Sequence, residues 1–202
     1  MSRRFTYIYD TFCGWCRGAH PTIAALIESG AEVEMLHLHL FQGAKAHRMA
    51  DGFGKVALAH DTRVAGLSGQ DFDQRYIDQV IQSPTEVLDS TYTAWAAALV
   101  HDQGPKTEIA LAHQLQNLRY IDGVSAQNRS AVETALAGLG VTAALEDGAP
   151  PARQTAARAR TVLDSLNLSS VPQLILEESG QRSVPSIADF YKSPTAVTAL
   201  AS

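Results

Sequence analysis

Both cysteines of the chain, Cys13 and Cys16, fall in the run F-C-G-W-C-R-G-A-H-P from Phe12 to Pro21, where a strand pattern hands over to a helix pattern. Before them, Phe5-Thr6-Tyr7-Ile8-Tyr9 is aromatic and β-branched, as strands prefer, and Asp10-Thr11-Phe12 reads as a turn. Cys13 opens a predicted helix to about Ser29, with Ile23, Leu26 and Ile27 at helical spacing and Gly30 closing it. Val33 to Leu40 then alternates, with Leu36, Leu38 and Leu40 on one face and Met35, His37 and His39 on the other. That pattern predicts a half-covered strand. The opening is therefore a βαβ unit, with a cysteine at the start of its helix.

The character changes after residue 42. From Gly43 to Ala149 the chain is Ala-rich and helical in pattern. Ser83-Pro84-Thr85-Glu86 has the form of a capping box with proline at the first helical position, which predicts a helix through Trp95, Leu99 and Val100 to Gly104. Further helices are expected over 106–120 and 126–139. The glycine-interrupted segment 45–82 reads as shorter helices and loops. Beyond Pro150-Pro151 the pattern is mixed again: a helix over 152–166, strands over 173–177 and 181–184 about a turn at Gly180, and a broken final helix over 186–200. The outer pieces, 1–42 and 150–202, are each too small to stand alone. Together they make one α/β domain of βαβ…αββα order, and 43–149 is an all-α insertion between them.

Composition narrows the function classes. Of 202 residues, 46% are apolar and 18% charged, enough for a core and too few charges for wholesale disorder. The net charge of −5 without a basic stripe speaks against nucleic acid or an anionic membrane as partner. The first ten residues lack the apolar run of about 7–15 residues that a secretory signal needs, and no stretch approaches the roughly 18 apolar residues of a membrane span. The expectation is a cytoplasmic protein, where a C-x-x-C pair is catalytic or metal-binding rather than a structural staple.

A helix N-terminus presents free N–H groups and partial positive charge, which favours a thiolate at Cys13. Cys16, one turn later on the same face, can resolve a mixed disulfide. Gly14 permits the tight turn, and Trp15 sets a flat aromatic beside the sulfur. Asp10 is either a proton relay or a turn-former. A metal site would need two more ligands from His20, His37, His39 and His47; His37 and His39 read instead as polar positions on a half-covered strand.

C-G-W-C at a strand-to-helix junction, Pro21 five residues after the second cysteine, and Val171-Pro172 before the 173–184 hairpin resemble the thioredoxin superfamily. The helical insertion and the opening Y-x-Y-D-x-x-C-x-W-C resemble its DsbA-like branch, within it the group of predicted protein-disulfide isomerases. The resemblance implies a thioredoxin fold and thiol–disulfide oxidoreductase or isomerase activity, with Cys13 as nucleophile and Cys16 resolving. It implies a cis Pro172, Val171 offering its backbone to an extended substrate, and Trp15 as an apolar platform. Partners would be protein or small-molecule thiols and disulfides. No dissociable cofactor is implied, with glutathione a possible co-substrate. The Gly-Trp dipeptide differs from the Gly-Pro, Gly-His and Pro-His pairs of thioredoxin, disulfide isomerase and DsbA. Two rivals stand beside this reading: a glutathione-dependent transferase or isomerase on the same fold, and a metal-binding module.

Overall fold

The computed structural model describes residues 3–202; Met1 and Ser2, which begin the first expected piece, lie outside the described residues. Strand β1 (Arg3–Tyr9) leads through a turn into helix α1 (Gly14–Glu28), and β2 (Glu32–His37) returns parallel to β1. The middle of the chain begins with a short strand, β3 (His47–Arg48), and a sixteen-residue helix, α2 (Phe53–Ser68). A single helical turn, α3 (Gln74–Tyr76), runs on as a wider π turn through Ile81, and β4 (Val87–Leu88) pairs antiparallel with β3. Helices α4 (Thr91–Val100), α5 (Pro105–Tyr120) and α6 (Arg129–Gly138) follow. The chain ends with α7 (Ala149–Ser165), the hairpin β5 (Gln173–Glu178) and β6 (Gln181–Ser183), and 3-10 turns at Ile187–Phe190 and Pro194–Ala201.

The four-stranded sheet runs β2-β1-β5-β6, with β5 antiparallel to β1 and the register pairing Ile8 with Gln173. This pairing has a direct consequence for the site. The chain leaving β1 and the chain entering β5 meet at one end of the sheet, so Cys13 and Val171 become neighbours across 158 residues. Helix α1 packs with α2 and α5 and against the C-terminal turns, while α7 lies along β2. Among the described residues no helix is long and apolar enough to cross a membrane.

Several expectations change. β2 is not half-covered: Met35, Leu36, His37, Leu38 and His39 are all buried, because helices cover it on both sides, as parallel strands generally require. It also ends at His37, and His39 takes a left-handed φ of 54°. The segment 45–82 contains the continuous helix α2 rather than only short pieces. Ser83 does accept the N–H of Glu86, at 3.1 Å, but no helix starts there. The Glu86 carboxylate turns away to accept from Arg119 (2.7 Å), the Ser125 hydroxyl and the Ala126 N–H, and the helix waits until Thr91. A buried ion pair outcompetes the local box. α6 starts at Arg129, three residues later than expected, with Asn128 capping the Ala131 N–H; α7 starts earlier, with both prolines in its first turn. The final helix is a pair of 3-10 turns.

Candidate active site

Cys13 is the N-cap of α1, with extended backbone angles of φ −87° and ψ 119°. Its carbonyl accepts from the N–H groups of Cys16 (2.9 Å) and Arg17 (3.1 Å), which closes the first turn over the pair. Both sulfurs are free thiols, Cys13 at 8% exposure and Cys16 at 1%. The difference sets their chemistry. Burial, and then the Cys13 sulfur as a hydrogen-bond partner, raise the Cys16 pKa well above the thiol range, so Cys16 keeps its proton while Cys13 faces the cleft. Beneath Cys16 lies the Tyr7 phenol, itself raised by burial and by the nearby sulfurs. Pro21 stands inside α1, within the helix that carries the motif.

The Cys13 thiol points at the Val171 carbonyl, 3.9 Å away, and the Val171–Pro172 peptide is cis. Trp15 is half-buried. Its Nε1 donates to His60 Nδ1 at 3.3 Å, Arg63 lies over its ring at 5.7 Å, and its carbonyl accepts from the Tyr191 hydroxyl at 3.0 Å. It therefore divides two clefts. One, about 470 Å³, lies along Val171, Pro172, Val184, Ile187 and Tyr191. The other, about 130 Å³, lies between the motif and the inserted helices, with Cys13, Phe41, Met49, Phe53, Asp61 and Tyr120 in its wall.

Asp10 is fully buried, and the scaffold uses its carboxylate. Oδ1 accepts from the Phe12 N–H (2.9 Å), and Oδ2 from the Leu40 N–H (2.8 Å) and the Ser90 hydroxyl (2.7 Å). It ties the turn before Cys13 to the end of β2 and the start of α4. The histidines considered as metal ligands are dispersed. His37 Nδ1 lies 3.0 Å from the His39 N–H, and its Nε2 lies 3.2 Å from both the N–H and the Oγ1 of Thr11; burial lowers its pKa to about 4 and keeps it neutral. His39 contacts Thr91, His20 stacks on His113, and His47 stacks on Phe53. Among the described residues no three His, Cys, Asp or Glu side chains gather as a metal site would require. His37 and His39 are thus interior residues, not polar positions on an open face.

Sequence reasoning missed what the insertion contributes. Asp61 and Tyr76 bond to each other at 2.8 Å beside the motif, and the Tyr120 hydroxyl donates to the Phe12 carbonyl at 2.8 Å. Arg17, directly after the second cysteine, donates to the Asp71 carbonyl and to Asn117, locking α1 to the insertion. Nothing in the local spacing marks Asp61, and Tyr76 and Tyr120 stand in helical sequence with no motif that sets them apart from core aromatics.

No family model and no curated protein matches the chain. Solved structures do. The cytosolic disulfide reductase DsbM from Pseudomonas aeruginosa superposes with a TM-score of 0.83 at 25% identity, over 97% of this chain and 95% of that one. The same reductase with GSH gives 0.79 at 23% identity, over 97% and 96%. A candidate protein disulfide isomerase from Nitrosomonas europaea gives 0.72 at 16% identity, over 97% of each chain.

Proposed function

For a chain with the thioredoxin fold of the DsbA-like branch, helical insertion included, we propose the function of a thiol–disulfide oxidoreductase built on Cys13 and Cys16. The observation that carries this reading is the asymmetry of the pair at a helix N-terminus: one cysteine facing a cleft, the other buried and holding its proton. The likeness to a reductase across nearly the whole chain supports the same class of chemistry.

The cycle needs no metal or dissociable cofactor. The Cys13 thiolate attacks a substrate disulfide, forming one S–S bond to the substrate and expelling its other sulfur as a thiolate. Cys16 then loses its proton and attacks the Cys13 sulfur, releasing the second substrate thiol and leaving Cys13–Cys16 oxidised. Two electrons pass from the couple to the substrate. Two molecules of a thiol such as glutathione restore the dithiol and leave as their disulfide; the GSH in the second DsbM structure supports that co-substrate. Val171 and Pro172 hold an extended substrate beside Cys13, and Trp15 gives its apolar flank a surface. Asp10 fixes the turn that presents Cys13. We place the protein in the cytoplasm, its neighbour DsbM being described as a cytosolic disulfide reductase, and there the couple would rest as the dithiol.

Equilibration against glutathione buffers, followed by alkylation of Cys13 and Cys16, tests the reading. A reversible two-electron transition is expected. Cys16→Ser is expected to accumulate a mixed disulfide at Cys13, visible by mass spectrometry, and Cys13→Ser to abolish exchange. Full exchange activity in Cys13→Ser would refute the mechanism.

A further inference from the structure

One carboxylate reaches the motif from the insertion. Asp61, on α2, is 4% exposed, and its Oδ2 accepts from the Tyr76 hydroxyl at 2.8 Å. Among the described residues nothing donates to Oδ1. That oxygen instead lies over Gly14: a Cβ at position 14 would sit 1.9 Å from Oδ1 and 3.1 Å from Cγ. Asp61, Gly14 and Cys13 wall the same cleft.

This location sets two charges against one dipole. The N–H groups of Cys16 and Arg17 close on the Cys13 carbonyl, which leaves those of Gly14 and Trp15 at the open end of α1, and the partial positive charge there favours negative charge at Cys13. A carboxylate over Gly14 occupies that same field. Resting on the redox reading above, we propose that Asp61 is a positioning residue that poises the couple as a reductant. Its negative charge opposes the Cys13 thiolate, destabilises the dithiol form relative to the disulfide, and so makes the dithiol the stronger electron donor.

The surrounding groups leave that charge in place. Arg119 of α5 is paired with Glu86 at 2.7 Å, and Arg17 of α1 is engaged by Asp71 and Asn117. Tyr76 supplies the donor to Oδ2, and Tyr120 is committed to the Phe12 carbonyl. On α2 itself, His60 and Arg63 face Trp15; on the β3 side, His47 stacks on Phe53 and Arg48 reaches Asp51. Burial lifts the Asp61 pKa to about 6, against the opposing pull of Tyr76 and the two arginines. The group is therefore charged at neutral pH and neutral below pH 5.

The test compares the full chain with Asp61→Asn in glutathione redox buffers at pH 5 and pH 7.5, alongside the alkylation rate of Cys13. At pH 7.5 the asparagine variant should favour the reduced form about tenfold more than wild type, a potential roughly 30 mV more positive, and its Cys13 should alkylate faster. At pH 5 the two proteins should coincide. Tyr76→Phe, which removes the donor holding Asp61 ionised, should move the pH at which wild type departs from Asp61→Asn upward. Coincident potentials at pH 7.5 overturn the proposal. So does an offset that is the same at both pH values, or an unchanged potential with slow resolution of the mixed disulfide. The wild-type transition in the same titration reports separately on the redox reading: its absence defeats both, its presence with no variant shift defeats only this one.

Discussion

Alanine at position 14 isolates the contact between the redox motif and the insertion. Gly14 is not one of the left-handed glycines, so alanine suits its backbone, and as the first residue of α1 it would gain up to about 1 kcal/mol in helix propensity. The side chain is the obstacle. Its Cβ would meet Asp61 Oδ1 at 1.9 Å, more than an ångström inside ordinary contact. Asp61 cannot simply turn aside, being buried and held through Oδ2 by Tyr76. Relief requires breaking that hydrogen bond or moving α2, an overpacking cost of about 1–3 kcal/mol. Urea unfolding of wild type, Gly14→Ala, Asp61→Ala and the double variant closes a thermodynamic cycle. Gly14→Ala alone should destabilise, and in the Asp61→Ala background it should be neutral or stabilising. An equal cost of alanine in both backgrounds would show that the carboxylate does not occupy this space.

Glu86→Ala should cost about 3–5 kcal/mol in the same urea assay, since it leaves Arg119 charged and unpaired at 1% exposure; a loss under 1 kcal/mol would contradict the buried pair. Two buried groups set opposing pH slopes. The pKa of His37 is lowered to about 4, so its contribution is whole above pH 6.5 and is lost as pH falls toward 4, where the unfolded chain takes up the proton first. Asp61, raised to about 6, runs the other way: the folded state binds the proton first, and stability gains by about 3 kcal/mol between pH 6 and pH 4. Asp61→Asn removes only that gain, so its stability should fall more steeply than wild type from pH 6 to pH 4. Parallel slopes would refute the assignment.

What the sequence made legible was local. The aromatic strand, the cysteines at its handover to a helix, and the Val-Pro before a hairpin are each written in a few consecutive residues, and the β1–β5 register brings them together. The errors arose where distant residues decided the outcome. Ser83-Pro84-Thr85-Glu86 has the letters of a helix start, and Ser83 makes its half of the box, but Arg119 claims Glu86 from 33 positions away. Helix α2 was hidden by Gly54 and Gly66 in its interior. Gly54 is there because a Cβ would meet the Ile81 carbonyl oxygen at 2.5 Å, a constraint set by a neighbouring turn rather than by helix propensity. The alternation of His37 and His39 with leucines suggested an open face because nothing nearby shows that the sheet is covered on both sides.

The same division bears on what the motif's middle dipeptide controls. Gly14 and Trp15 separate the cysteines, yet both answer to α2: Gly14 by the space Asp61 takes, Trp15 by the His60 and Arg63 contacts on its ring. A dipeptide exchange in this chain therefore changes the couple and severs the insertion's grip on it at once. Under the proposed function, Cys13 and Cys16 supply the electrons, the helix N-terminus supplies the field, and α2 supplies the charge that opposes it. A potential measured after replacing Gly-Trp with another pair would mix the dipeptide's own influence with the displacement of Asp61. Only the Asp61 background separates the two: if the insertion is the route by which the dipeptide acts, the exchange should shift the potential far less once residue 61 is asparagine.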